Sequence, residues 1–262
     1  MTPWTHHGAA LLYLLAAVIG GRKAATRPAS RSFEWLLCGG VALHAIAFVR
    51  FHRLDPPISL ESTAAALSVI GWLVASTFLL SLRFAKTLAV GRFVAASAFG
   101  FTAAASIGLH LRSSVALPGP AGAWPHAHVL LAAAGFAALA VASLAGLGYL
   151  VKERLLKARR RAAPELPSLE SLDRLGVFAL SLGFPLLTLG VFSGFVWALG
   201  AGGSLWTRHV VMSLVAWGVY CVPVGARLLR GQGGPRLARS LVVGFAVLAV
   251  CYLGTRALEL VS

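Results

Sequence analysis

Residues 129–151 have the sequence VLLAAAGFAALAVASLAGLGYLV, and residues 152–161 continue it with KERLLKARRR. The first segment is 23 residues long without a charge, whereas six of the ten residues in the second are basic. Because an α-helix rises about 1.5 Å per residue, about 20 apolar residues cross the hydrocarbon core of a bilayer. The first segment is therefore predicted to be a transmembrane helix, and the second to lie at the membrane surface.

Apolar runs of this length recur along the whole chain. Of its 262 residues, 58% are hydrophobic and only 12% are charged, whereas soluble domains have roughly 25% charged residues. The strands of a membrane barrel would appear as alternations of about ten residues, and these runs are longer. We expect an all-α, polytopic transmembrane helical bundle that forms a single domain over residues 1–262. Its eight spans are predicted at residues 8–22, 33–51, 62–82, 87–111, 127–151, 175–199, 208–229 and 240–258.

Basic residues are distributed unequally between the two ends of these spans. One side carries 17 of them and the other side carries 5, and the positive-inside rule assigns the richer side to the cytoplasm. Eight spans then place both termini in the periplasm, with the chain in a bacterial inner membrane as a multi-pass protein. The net charge of +15 is accordingly interpreted as a topology signal that contacts membrane lipid headgroups, and no nucleic-acid partner is expected.

The sequence lacks the common catalytic patterns. It contains no phosphate-binding glycine loop with a following Lys-Ser/Thr, no H-E-x-x-H and no G-x-S-x-G. No carboxylate lies well inside a predicted span, which counts against a proton- or cation-coupled transporter. The absence of C-x-x-C-H means that the chain is not itself a c-type cytochrome. We therefore predict a protein that is not an enzyme.

The histidines are the most informative polar residues, because all eight are predicted at the outer side of the membrane. His6 and His7 precede the first predicted span, and His44 lies roughly 9 Å inside the second. A single intramembrane histidine more often forms a hydrogen bond between helices, so that role stays open for His44. Imidazole is also the common axial ligand of haem iron. The remaining histidines are His52, His110, His126, His128 and His209, and the same side carries Trp124, Trp197, Trp206, Arg50, Arg112 and Arg208.

Three stretches resemble the cytochrome c assembly family, which contains the CcsA-type haem-handling proteins and their HemX-like relatives. The most specific comprises residues 166–175 (LPSLESLDRL), residues 183–194 (GFPLLTLGVFSG) and residues 197–198 (WA). Residues 43–48 (LHAIAF) resemble the segment that carries the family's membrane-embedded histidine, and His128-Val129 resembles its external haem-ligating histidine. The resemblance implies a non-covalent, b-type haem, with His44 and His128 as the iron ligands and with His209, His126, Trp206, Trp197 and Arg208 as further haem-binding residues.

The outer segment around Trp206 departs from the pattern of the haem-delivering members. Those members carry W-x-W-D-P-K-E, whereas residues 203–210 here are GSLWTRHV, with Thr207 in place of the Asp and His209 in place of the Lys. A family histidine near the inner end of the next helix is replaced by Arg227, and none follows the last span. These differences resemble the HemX-like branch, and they imply haem binding without delivery to an apocytochrome.

Three functions remain open from the sequence. The first is a haem-binding protein that assists cytochrome c-type biogenesis, at most as part of a haem-lyase system, with other assembly factors as partners. The second is a non-catalytic regulator or scaffold that contacts a haem-biosynthesis enzyme or an assembly factor through its basic loop 152–174. The third is a small-molecule transporter. A haem absorption band on the purified protein would separate the first from the other two.

Overall fold

The computed structural model describes residues 4–22, 27–51, 62–83, 88–111, 123–158, 166–200 and 208–261. These residues form eight α-helices and no strand, which confirms the predicted all-α class. The helices are α1 (Trp4–Arg22), α2 (Arg27–Phe51), α3 (Thr63–Ser81), α4 (Leu88–Leu111), α5 (Ala123–Lys157), α6 (Leu169–Gly200), α7 (Arg208–Arg230) and α8 (Gly234–Val261).

Seven of the eight described helices are long and apolar enough to cross a membrane, and α1 contributes a shorter apolar run, Trp4–Gly20. The chain is thus a multi-pass membrane protein. The exact number of eight spans and the periplasmic position of both termini stay predictions.

Several helices extend beyond their predicted bounds. Helix α1 begins at Trp4, so the expectation that His6 and His7 precede the first helix is wrong, and both lie in its first turns. Helix α6 begins at Leu169, six residues before the predicted start, because the Ser168 hydroxyl accepts a hydrogen bond from the Ser171 N–H and caps the helix. Helix α5 continues to Lys157, past the end of its apolar stretch.

The chain divides into two compact units. The first comprises residues 1–121 and 161–171, and contains α1–α4. The second comprises residues 122–160 and 172–262, and contains α5, most of α6, α7 and α8. The single domain expected over residues 1–262 stays a prediction.

Within the first unit, α1 packs against α2 and α4, and α3 packs against α4 and α2. Two glycines allow the helices to approach closely. A Cβ on Gly40 of α2 would overlap the Tyr13 ring of α1, and one on Gly71 of α3 would lie 2.8 Å from Thr102 Oγ1 of α4. Both Tyr13 and Thr102 are fully buried. Small residues at helix contacts are the usual means of close packing inside a membrane.

In the second unit, the turn between α7 and α8 is held by side chains from α6 and α7. Asp173 Oδ1 accepts a hydrogen bond of 2.7 Å from the Gly234 N–H, at the start of α8. Arg227 Nη1 donates to the carbonyl oxygen of Gln232 at 3.2 Å. Gly231 and Gly234 have φ angles of +58° and +68°, which a residue without Cβ adopts at little cost. Arg227 therefore closes this turn.

Candidate functional site

His128 lies in the second turn of α5, and its imidazole ring is seated on α6. A Cβ on Gly194 of α6 would overlap the ring, most closely at Cε1. One turn earlier, a Cβ on Gly190 would lie 2.8 Å from Ala132 Cα of α5. The two helices are in contact through backbone here, because neither glycine has a side chain. The glycines of the segment 183–194 thus create the space that the histidine ring occupies.

The hydrogen bonds of His128 determine which ring nitrogen carries the proton. His128 Nδ1 lies 2.7 Å from the carbonyl oxygen of Gly190, and a carbonyl only accepts, so Nδ1–H is the donor. The Ser193 hydroxyl, 3.4 Å from Nδ1, donates its own proton to the same carbonyl at 2.9 Å. In the neutral ring Nε2 then has a lone pair. No hydrogen bond reaches Nε2 from any residue that the structure describes.

The other face of the same α6 segment holds α7. Trp217 Nε1 of α7 donates to Thr188 Oγ1 at 3.0 Å. The Trp217 ring stacks on Phe184, with centroids 6.2 Å apart, and meets Phe192 edge to face at 5.9 Å. Phe184, Thr188 and Phe192 are spaced by four residues and so line one helix face. The segment therefore positions two neighbouring helices, with its glycines against α5 and its Phe-Thr-Phe face against α7.

His44 occupies the core of the first unit, where it is fully buried. Its Nε2 lies 2.9 Å from Ser68 Oγ of α3, and its Nδ1 lies 3.4 Å from the Tyr13 hydroxyl of α1. The ring stacks on Phe48, with centroids 5.0 Å apart and an interplanar angle of 16°. The interhelical hydrogen bonding that the sequence left open for His44 is present in the structure.

His6 was expected before the first helix, and the structure places it inside α1, buried beside His44. Only 1% of its surface is exposed, and the two imidazole rings meet edge to face with centroids 5.0 Å apart. His6 Nε2 lies 2.8 Å from Ser68 Oγ, and His6 Nδ1 lies 2.9 Å from Ser106 Oγ of α4. Ser68 thus bridges the two histidines. The available signal was the lack of charge in residues 1–21, which permits the helix to start before His6.

Of the remaining predicted site residues, only Trp197 has a side chain among the described residues. Trp197 lies three residues beyond Gly194 on α6, and 41% of it is exposed. His126 lies in α5, while Arg208 and His209 begin α7, but their side chains lie outside the described residues. Trp206 lies outside them entirely. His44 belongs to the first compact unit and His128 to the second.

The two histidines differ in how well they fit haem iron as the structure stands. A metal-bound histidine usually donates its other ring N–H to a carbonyl or carboxylate. His128 already does so through Nδ1. Both nitrogens of His44 are hydrogen-bonded, so iron ligation by His44 requires the loss of one of these bonds. Among the described residues no three His, Cys, Asp or Glu side chains could hold a metal ion together. A haem iron needs only one or two protein ligands.

The described helices define a multi-pass membrane protein with one half-buried and one fully buried histidine site. Comparison with known proteins gives the family. The family model described as "Cytochrome C assembly protein" matches residues 57–261, and the chain belongs to this family. The matched segment contains His128 and the whole of α6 and begins after His44, so the likeness of His44 to a family histidine rests on residues 43–48 alone.

Several curated relatives are cytochrome c biogenesis proteins CcsA. One from Synechococcus sp. (strain CC9605) is 35% identical over 167 residues, covering 54% of this chain and 55% of the relative. One from Synechococcus elongatus is 43% identical over 99 residues, covering 37% and 30%. One from Chlamydomonas reinhardtii is 34% identical over 134 residues, covering 50% and 37%. The matches therefore span between about a third and about half of the length of these relatives.

Proposed function

We propose that this protein binds haem non-covalently at the periplasmic side of a bacterial inner membrane and assists cytochrome c-type biogenesis. The family and its CcsA relatives support the biogenesis role. One observation carries the haem-binding part. The Nδ1–H of His128 donates to Gly190, which leaves Nε2 to offer a lone pair to iron. In this proposal haem is the cargo, and no bond is made or broken in it by the protein.

His128 is the principal iron ligand in this proposal, and His44 is the second candidate, with His209 and His126 behind them. Trp197 and Trp206 would offer aromatic faces to the porphyrin ring. Arg208 would pair with a propionate, because a guanidinium can form two parallel hydrogen bonds with a carboxylate. Haem and other assembly factors are the proposed partners.

The test compares two histidine substitutions in the purified, detergent-solubilised full chain. His128→Ala removes the proposed ligand and is expected to weaken haem binding at least about tenfold, the lower end of the effect of disturbing a ligand's surroundings. His7→Ala removes an imidazole outside the proposed site and should leave the affinity unchanged. Titration with haem, followed by absorbance, measures both. Equal affinities of His128→Ala and the wild type would refute His128 as the ligand.

The alternative of a regulator or scaffold has one structural observation in its favour. Helix α5 continues past its apolar stretch to Lys157 and presents Lys152, Arg154 and Lys157 on its last turns. Lys157 forms a 2.7 Å ion pair with Glu153 and is largely exposed. Such a basic helix end could contact an acidic surface of a haem-biosynthesis enzyme. Replacement of Lys152 and Arg154 by Gln should then abolish co-purification of that enzyme while leaving haem titration unchanged.

A further inference from the structure

The polar groups around His44 form one continuous chain of hydrogen bonds across all four helices of the first unit. The chain runs from the Tyr13 hydroxyl to His44, Ser68, His6 and Ser106. Ser106 then donates to the backbone carbonyl of Thr102 at 3.1 Å. Every one of these side chains has at most 9% of its surface exposed. An unpaired polar group in such a place is destabilising, and here each group has a partner.

The direction of the chain depends on where the Ser106 proton points. A hydroxyl has a single proton, and of the two groups within reach of Ser106 Oγ the Thr102 carbonyl, at 3.1 Å, can only accept, so the Ser106 proton is assigned to that carbonyl. Towards His6, Ser106 is therefore an acceptor, and His6 Nδ1 carries a proton. In the neutral ring His6 Nε2 is then an acceptor, and the proton between His6 and Ser68 belongs to Ser68.

The protons of Ser68 and His44 follow from the same reasoning. The one proton of Ser68 points at His6, so Ser68 Oγ accepts from His44, and His44 Nε2 carries a proton. His44 Nδ1 then has the lone pair, which faces the Tyr13 hydroxyl at the long distance of 3.4 Å. The Nε2 contact with Ser68 is shorter, at 2.9 Å. The longer and weaker hydrogen bond of His44 is therefore the one at Nδ1, the nitrogen that has the lone pair.

We propose that His6 is a positioning residue for His44, and that it acts through Ser68 to hold His44 as the Nε2–H tautomer. The nitrogen that His44 can offer to a metal is then Nδ1, on the side of Tyr13. His128 offers the opposite nitrogen, Nε2, since its Nδ1–H is bound to Gly190. The relevance of these nitrogens to haem rests on the proposed function, whereas the tautomer of His44 is a property of the protein without haem.

Most members of the cluster lie near the ends of the helices that carry them. His6, Ser68 and Ser106 each lie within six residues of a helix end, and His44 lies seven residues before the end of α2. These offsets correspond to depths of about 3 to 10 Å along the helix axes. His6, Ser68 and Ser106 therefore lie near helix ends, whereas Tyr13 lies nine residues into α1, about 14 Å along its axis. The Tyr13 end of the chain, which faces His44 Nδ1, is the end farther from the helix ends.

The test is nuclear magnetic resonance of the haem-free full chain in lipid nanodiscs, with 15N-labelled histidine. The His44 signals are assigned from their loss in His44→Gln. In the wild type, His44 Nε2 should be protonated and Nδ1 unprotonated. A protonated Nδ1 in the wild type would overturn the proposal by itself, whether or not any variant folds.

Substitutions of His6 then test the positioning role. In His6→Leu the Ser68 proton loses its acceptor and should turn to His44 Nε2, so that the His44 proton moves to Nδ1. His6→Gln supplies an amide oxygen near the former Nε2 position and should keep the wild-type tautomer. His7→Leu is the control for loss of an imidazole from the same turn and should change nothing. An unchanged His44 tautomer in His6→Leu, or the same change in His7→Leu, would overturn the role of His6.

Haem binding is measured on the same samples, so the two proposals fail separately. A protein that shows the expected tautomers and binds no haem would retain the role of His6 and refute the proposed function. A protein that binds haem through His128 with His44 protonated on Nδ1 would retain the function and refute the role of His6.

Discussion

At the scale of the residue, the absence of a side chain at Gly194 leaves the space in which the His128 ring lies. The imidazole ring occupies the space that any Cβ at position 194 would need, and it is held there by the Gly190 carbonyl. Gly194 and the Gly190 carbonyl both belong to the backbone of α6. The ring can therefore change its position only if the two helices move apart or its hydrogen bond breaks.

This arrangement predicts a loss of haem binding without removal of any ligand. Gly194→Ala should displace the His128 ring and weaken haem binding about tenfold or more, as expected when a group that orients a metal ligand is disturbed. Gly200 lies on the same helix, and among the described residues a Cβ there would have no atom of another segment within 4 Å, so Gly200→Ala should bind haem normally. Haem titration of both variants makes the comparison, and equal affinities would show that the position of the ring is irrelevant.

The sequence singles out His44 and His128 as candidates but not the residues that form hydrogen bonds with them. The sequence predicts His6 before the first helix, because the first predicted span begins at Gly8. The residues that orient the rings are Ser68, Ser106 and a backbone carbonyl. They belong to helices distant in sequence, and small hydroxyls inside an apolar helix resemble ordinary packing residues. Such partners can be identified only when the packing of the helices is known.

At the scale of the element, the helix starts and ends were the weakest part of the prediction. Ser168 precedes Leu169 and Glu170, an N-cap followed by an acidic first turn, which is a common signal for a helix start. The prediction followed hydropathy and began the helix at residue 175. The first turns of α6 that the prediction omitted carry Asp173, whose bond to Gly234 holds the start of α8. The all-helical class, in contrast, follows from apolar runs of membrane length and is confirmed for the described residues, whereas the number of spans stays a prediction.

Contacts between α6 and α7 allow a stability prediction. The bond from Trp217 to Thr188 should contribute roughly 0.6 kcal/mol, the average measured for hydrogen bonds between membrane helices. Trp217→Phe keeps an aromatic ring against Phe184, and Thr188→Val keeps the shape of the side chain without the hydroxyl.

A double-mutant cycle isolates the contribution of this bond. The free energy of unfolding in mixed micelles is measured for both single variants, the double variant and the wild type. The stability losses of the two single variants should sum to more than the stability loss of the double variant. The difference should be about the energy of the bond. Strictly additive losses would mean that this bond contributes nothing.

At the scale of the whole molecule, the charge bias predicts how the helices cross the membrane. Reporter domains fused at residue 262 or inserted in segment 112–125 should be periplasmic, and those inserted in segments 152–174 or 227–239 should be cytoplasmic. The physical reason is that the predicted cytoplasmic side carries 17 basic residues, whereas the other side carries 5. Periplasmic alkaline phosphatase activity and cytoplasmic fluorescence distinguish the two locations. A cytoplasmic signal at residue 262 would require an odd number of spans.

The central claim is that the intact protein binds haem, and the visible spectrum of the protein tests it most directly. The full chain is purified in detergent from haem-replete cells, its spectrum is recorded, and its haem is quantified against protein. The account predicts a Soret band with α and β bands on reduction, and about one haem per chain, because His128 offers a single oriented nitrogen. Absence of these bands, both after purification and after addition of haem to the purified protein, would contradict it.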